Sequence, residues 1–132
     1  MPGSRRRPFS YAIVRVVPRI DRGERINAGV IVHCRELRFL AARVGLDEAR
    51  LSALAPSLKP ADVRAQLETI VKVAAGDPDA GPVAALPPWE RFDWLVAPSS
   101  TIIQVSHTHT GLTDDPLATL ASLYRELVAP PT

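Results

Sequence analysis

From Phe9 to Ile20 the chain reads FSYAIVRVVPRI, a run of β-branched and aromatic residues that predicts a strand. Alternation puts Tyr11, Ile13, Arg15 and Val17 on one face and Ala12, Val14 and Val16 on the other. Pro18 cannot donate to a ladder, so the strand ends there or lies at a sheet edge. Asp21-Arg22-Gly23-Glu24 is a polar turn, and Arg25 to Cys34 reads as a second strand, with Gly29 marking a bulge or a close backbone approach. Arg35-Glu36 connects it to a third strand over Leu37 to Val44. Connections this short favour antiparallel hairpins, so the three strands read as a meander.

After Gly45 the apolar period changes from two to between three and four. Asp47 to Ala55 predicts a helix closed by Pro56. Lys59-Pro60-Ala61-Asp62 opens a longer one carrying Val63, Leu67, Ile70, Val71 and Ala74 on one stripe, and Gly76 ends it. Residues 76–88 form a loop rich in proline and glycine. A short helix follows over Trp89 to Val96, with Trp89 and Phe92 inward. Ser100 to Ser106 is a fourth strand that runs into His107-Thr108-His109-Thr110-Gly111. Asp114 or Asp115 caps a last helix from Pro116 to Val128, whose core stripe is Leu117, Leu120, Leu123, Tyr124 and Leu127. Three strands, two helices, a short helix, a strand and a helix do not alternate strictly. The order predicts an α+β domain over residues 9–129, with a mainly antiparallel four-stranded sheet and its helices packed on one face. Residues 1–8, polar, basic and proline-containing, read as a disordered arm.

Composition adds little to that picture. The chain has 132 residues, 46% of them hydrophobic, enough for one core. No apolar run approaches the length of a membrane span, and no apolar segment follows Arg5, Arg6 and Arg7 as a secretory signal would require. Cys34 is the only cysteine, which agrees with a reducing cytoplasm. A net charge of +2 does not call for nucleic acid as a partner. Lys59 and Lys72 are the only lysines among 16 basic residues, so cationic recognition here rests on where the arginines sit.

Arg15, Arg19 and Arg25, with Asn27 close to Arg25 and Arg43 further on, form the first candidate group. Arg15 shares a strand face with apolar side chains, so it lies at that face's wet margin or points into a cleft. Converging guanidiniums would suit a phosphate or a carboxylate. Ordinary surface pairing with Glu24 and Glu36 is the alternative. His109, at a junction of strand and helix, can join such an anion site, while Gly111 turns the chain and Asp114 caps the helix in the plainer reading. His107 and His109 share the spacing of ligands on a strand, but no HExxH, CxxC or repeated ligand spacing supports a metal, and no cofactor motif is present. Cys34 and His33 are adjacent, so a regular strand points them to opposite faces and no nucleophile–base pair results. There is no GxSxG elbow and no distinctive carboxylate pair, so no catalytic residue is assigned.

Three blocks, YAIVRVVPRIDRGERINAGVIVHC, WERFDWLVAPSSTIIQVS and HTGLTDDPLATLASLYRELV, together resemble domain of unknown function family 3037, a group of small bacterial proteins. The likeness runs from about Phe9 to Val128. It includes Arg15, Pro18, Arg19, Glu24, Asn27, Gly29, His109, Gly111 and Leu112. It departs at His107, where a proline is expected, and near Ser99, where a basic residue is. Genes of that family often neighbour one for a HipA-like serine/threonine kinase. The resemblance therefore implies a non-catalytic accessory or regulatory domain that binds such a kinase. A nucleotide- or phosphate-binding protein or enzyme, using Arg15, Arg19, Arg25, Asn27 and His109, is the competing expectation. Self-association through a strand edge stays open.

Overall fold

The computed structural model describes residues 5–98 and 101–129. The first four residues of the expected arm, and Ser99 and Ser100, lie outside that range. The first strand, β1 (Arg7–Val16), is hydrogen-bonded along both edges and forms the axis of a five-stranded antiparallel sheet. One edge pairs with β2 (Ile26–Cys34), which pairs in turn with β3 (Phe39–Val44). The other edge is shared by two short strands. β4 (Ile103–Val105) lies against Val14–Val16, and β5 (His109–Thr113) against Arg7–Tyr11.

The helices begin and end where local chemistry says they should. In α1 (Glu48–Leu54) the Asp47 carboxylate accepts from the Arg50 amide. Pro60 opens α2 (Pro60–Ala75), and Gly76, at φ 73°, closes it with its N–H on the Lys72 and Val73 carbonyls. Pro88 opens α3 (Pro88–Val96). Of the two aspartates before α4 (Pro116–Leu127), Asp115 is the cap, accepting from the Ala118 amide at 3.1 Å.

The α+β class and the antiparallel sheet hold, with two corrections. Where four strands are expected there are five, because the segment after Ile103 pairs twice with β1 around an interruption. The helices also occupy both faces of the sheet. α1, α2 and α3 bring Leu51, Val63, Leu67 and Phe92 onto Val14, Val16, Ile26, Ala28 and Ile31. On the opposite face, Leu120, Leu123 and Leu127 of α4 pack on Phe9, Val30, Val32 and Cys34. The physical reason lies in β2. Of its nine residues only Asn27 and His33 are not buried, and a strand apolar on both faces needs cover on both. Trp89 and Leu117, expected inward, are 44% and 64% exposed. Pro18 follows the end of β1, which is an interior strand and not an edge. Arg7 and Pro8, expected in the arm, pair with Thr113 and Leu112.

Two irregularities fit the sheet together. Opposite Val14 and Arg15 the β1–β2 register slips by one residue beside Gly29. A Cβ on Gly29 would lie 2.8 Å from Val44 Cγ1 and 3.0 Å from the Arg43 carbonyl oxygen, so the close backbone approach is real. On the other edge, one extra residue separates the β4 register from that of β5. There Ser106 takes over the ladder. Its N–H donates to the Ile13 carbonyl at 2.9 Å, and its hydroxyl oxygen accepts from the buried Ile13 amide at 2.9 Å. Ser106→Ala orphans that amide and lowers unfolding free energy by about 1–3 kcal/mol in urea titrations, with the sheet retained by circular dichroism. Gly29→Ala forces β3 away from β2 and costs about 1–3 kcal/mol in the same assay.

Candidate functional site

The α4-bearing face of β1 presents Phe9, Tyr11, Ile13 and Arg15 in order, and pairing fixes their neighbours. Arg15 lies in register between Asn27 of β2 and Gln104 of β4. Tyr11 lies opposite His109, and the two rings stack with centroids 5.0 Å apart. The His107 ring is tilted against His109, 4.9 Å away, and Phe9 stacks on Tyr11 at 6.0 Å.

The structure therefore divides the five expected site residues. Arg15, Asn27 and Arg25 gather at one end of the sheet face. Four steps along β1, roughly 13 Å of strand, separate Arg15 from Tyr11 and its partner His109. Arg19 is turned away into an exposed pair with Asp21, at 2.8 Å. The single cleft that would unite all five is not formed. The His107 and His109 rings meet in a tilted contact, and among the described residues no three His, Cys, Asp or Glu side chains are grouped to hold a metal. Cys34 is buried on the α4 side, its thiol directed to the Pro8 carbonyl at 3.5 Å, while His33 faces α3. The two are apart, as strand alternation requires.

What remains is an arginine pair, Arg15 and Arg25, without a carboxylate partner among the described residues. The acids available to neutralise it are committed elsewhere: Glu24 pairs with Arg22, and Glu36 with Arg7. Arg43 lies over the Tyr124 ring, 4.5 Å from its centroid. Arg15 makes no ion pair among the described residues, and its Nε is buried without a hydrogen-bond partner. Burial, and then the like charge of Arg25, pull its guanidinium below the ordinary arginine value. Asn27 completes the end of the face. Its Nδ2 donates to the Leu127 carbonyl at 3.0 Å, latching the last turn of α4 to β2. Asn27 also lines a cleft of about 350 Å³ with Gly45, Asp47, Glu48, Arg50 and Tyr124. Its acids are engaged, Asp47 as the cap of α1 and Glu48 with Arg64.

A second group escaped sequence reasoning. His33, Arg35 and Arg38 meet Trp89 across a fold contact between the β2–β3 turn and α3, with 50 or more residues between them in sequence. The one available signal was alternation, which sends His33 away from Cys34. The His33 ring lies 4.9 Å from Phe92. Burial holds its pKa below the ordinary 6.5; the Asp93 carboxylate opposes the shift and Arg35 adds to it. The unfolded chain then binds this proton more readily than the folded one. The stabilising contribution is complete above pH 6.5 and is lost as pH falls from there through the folded value. Chemical denaturation between about pH 7.5 and about pH 5 should show a steeper loss for the native chain than for His33→Gln. Parallel curves would mean that His33 does not contribute.

No helix among the described residues is long and apolar enough to cross a membrane. No curated protein and no solved structure matches the chain. A family model described as "Protein of unknown function (DUF3037)" matches residues 11–128, from the Tyr11 of the aromatic stack to the end of α4. That span takes in almost the entire sheet and every helix, so this chain belongs to the DUF3037 family.

Proposed function

We propose that the domain is a non-catalytic accessory module that docks onto a protein partner, with Arg15 and Arg25 receiving a carboxylate of that partner. The observation that carries this reading is the state of Arg15: a guanidinium set into a sheet face beside a second cation, with a buried Nε that has no partner among the described residues. A half-buried charge left unpaired in the free domain is a cost that an incoming anion removes. Strand pairing holds Arg15 between Asn27 and Gln104, so little order is lost when the anion arrives. A protein carboxylate is preferred to a free metabolite because His109, the histidine expected to join the arginines, lies instead against Tyr11, away from Arg15. The partner implied by the family resemblance is a HipA-like serine/threonine kinase, and the module then serves as its regulatory companion in the cytoplasm.

Calorimetric titration of the purified domain into that kinase tests the proposal. Stoichiometric binding is expected, weakened about tenfold or more by Arg15→Ala and within about twofold of native for Arg19→Ala, whose charge is already paired. Arg15→Met should at the same time leave the thermal midpoint of the free domain at or above the native value, because it removes an unpaired cation. Absence of binding overturns the kinase as partner. Equal effects of the Arg15 and Arg19 substitutions overturn the assigned contact.

A further inference from the structure

On the face of the sheet covered by α1–α3, the turn between β2 and β3 and the first turn of α3 enclose a cleft of about 310 Å³. It is lined by His33, Arg35, Arg38, Pro88 and Trp89, and its volume falls at the small end of the range for low-molecular-weight ligand sites. One wall is apolar. The Trp89 indole is 44% exposed, and its position is set by a helix that buries Phe92 and Leu95 in the core. An indole left this open beside a cleft offers a flat surface on which another ring stacks.

The polar groups of the cleft are unengaged. Neither Arg35 nor Arg38 has a side-chain hydrogen bond or ion pair among the described residues, although Glu36 sits between them in sequence; Glu36 reaches instead to Arg7, at 3.0 Å. The His33 imidazole makes no hydrogen bond there, and its ring contact is with Phe92. Arg38 has φ 53°, the left-handed conformation that favours glycine or asparagine. Its amide closes the turn on the Arg35 carbonyl at 3.1 Å. A turn needing only that backbone would be served with less strain by glycine, so the guanidinium at this position has no structural explanation in the turn itself. Asp93 is the carboxylate that acts on His33 from α3, set against the opposing charge of Arg35.

We propose that this cleft binds a small planar aromatic anion, its ring stacked on the Trp89 indole and its phosphate or carboxylate held by Arg35 and Arg38. A neutral ring would leave both guanidiniums without a counter-charge, and an aliphatic anion would leave the indole uncovered. Planar guanidiniums match the geometry of either oxyanion. His33, one donor and one acceptor when neutral, then fixes the orientation of a ring substituent. This site is separate from the Arg15 surface, on the other side of the sheet, and does not rest on the docking reading.

The test is calorimetric titration with two probes, adenosine 5′-monophosphate and indole-3-carboxylate, against adenosine and inorganic phosphate as controls. At least one aromatic anion should bind at one site, with both controls weaker by about tenfold or more. Trp89→Ala and the double variant Arg35→Ala/Arg38→Ala should each weaken it about tenfold or more, Trp89→Phe should restore most of the affinity, and Arg15→Ala should leave it unchanged. Binding of the nucleotide alone identifies a phosphate-bearing ligand, and binding of the indole acid alone a carboxylate. Thermal melts confirm that each variant is folded. Absence of saturable binding by either probe at millimolar concentration, or binding indifferent to folded Trp89 and Arg35/Arg38 variants, overturns the proposal.

Discussion

The ladder on both edges of β1 is the constraint from which the rest of the structure follows. An interior strand must place every amide and carbonyl, because a buried backbone group without a partner costs about 1–3 kcal/mol. On the β2 edge the requirement is met by regular pairing with one slip beside Gly29. On the other edge the partner segment carries one residue too many, and a side chain makes up the difference. The Ser106 hydroxyl stands in for a carbonyl at Ile13. Its lone pairs and proton are both used, since it donates in turn to the His107 carbonyl at 2.9 Å.

Pairing of β1 on both sides also decides where the charges go. With both faces of the sheet apolar at the centre, helices are drawn to each, and the charged side chains of β1 and β2 lie at the margins of the helical cover. Arg15 and Asn27 occupy such a margin, past the last turn of α4, while His33 occupies another beside α3. The two candidate sites therefore arise from one cause. Each includes one of the two residues of β2 that are not buried, Asn27 or His33, and each holds polar groups at rigid strand positions.

Much of the fold was legible in the residues. Asp47, Pro60, Gly76 and Asp115 announce helix ends because capping is local chemistry, and Gly29 announces the close approach because only a missing side chain permits it. The second helical layer was not legible. Alternation in β1 shows two apolar faces, but which helix covers which face is decided by tertiary packing. Among the site residues, strand parity correctly aligned Arg15 with Tyr11 and separated Cys34 from His33. It could not show that Asp21 would take Arg19, a contact made by a turn, or that His109 would stack on Tyr11 rather than turn toward Arg15. The cleft at Trp89 was invisible for a plainer reason, since its two halves are joined only by folding.

The extra residue between β4 and β5 has an effect on the outer side of the sheet as well. The strands that carry it pair only with β1 among the described residues, so their far sides form one sheet edge. An unbroken edge of that kind is a template on which another chain can add a strand, the first step toward aggregation. Here the edge is cut into a three-residue and a five-residue piece whose registers disagree. A flat incoming strand that matches one piece is out of step with the other. The same irregularity that obliges Ser106 to complete the interior thus makes this edge of the sheet a poor template for strand addition.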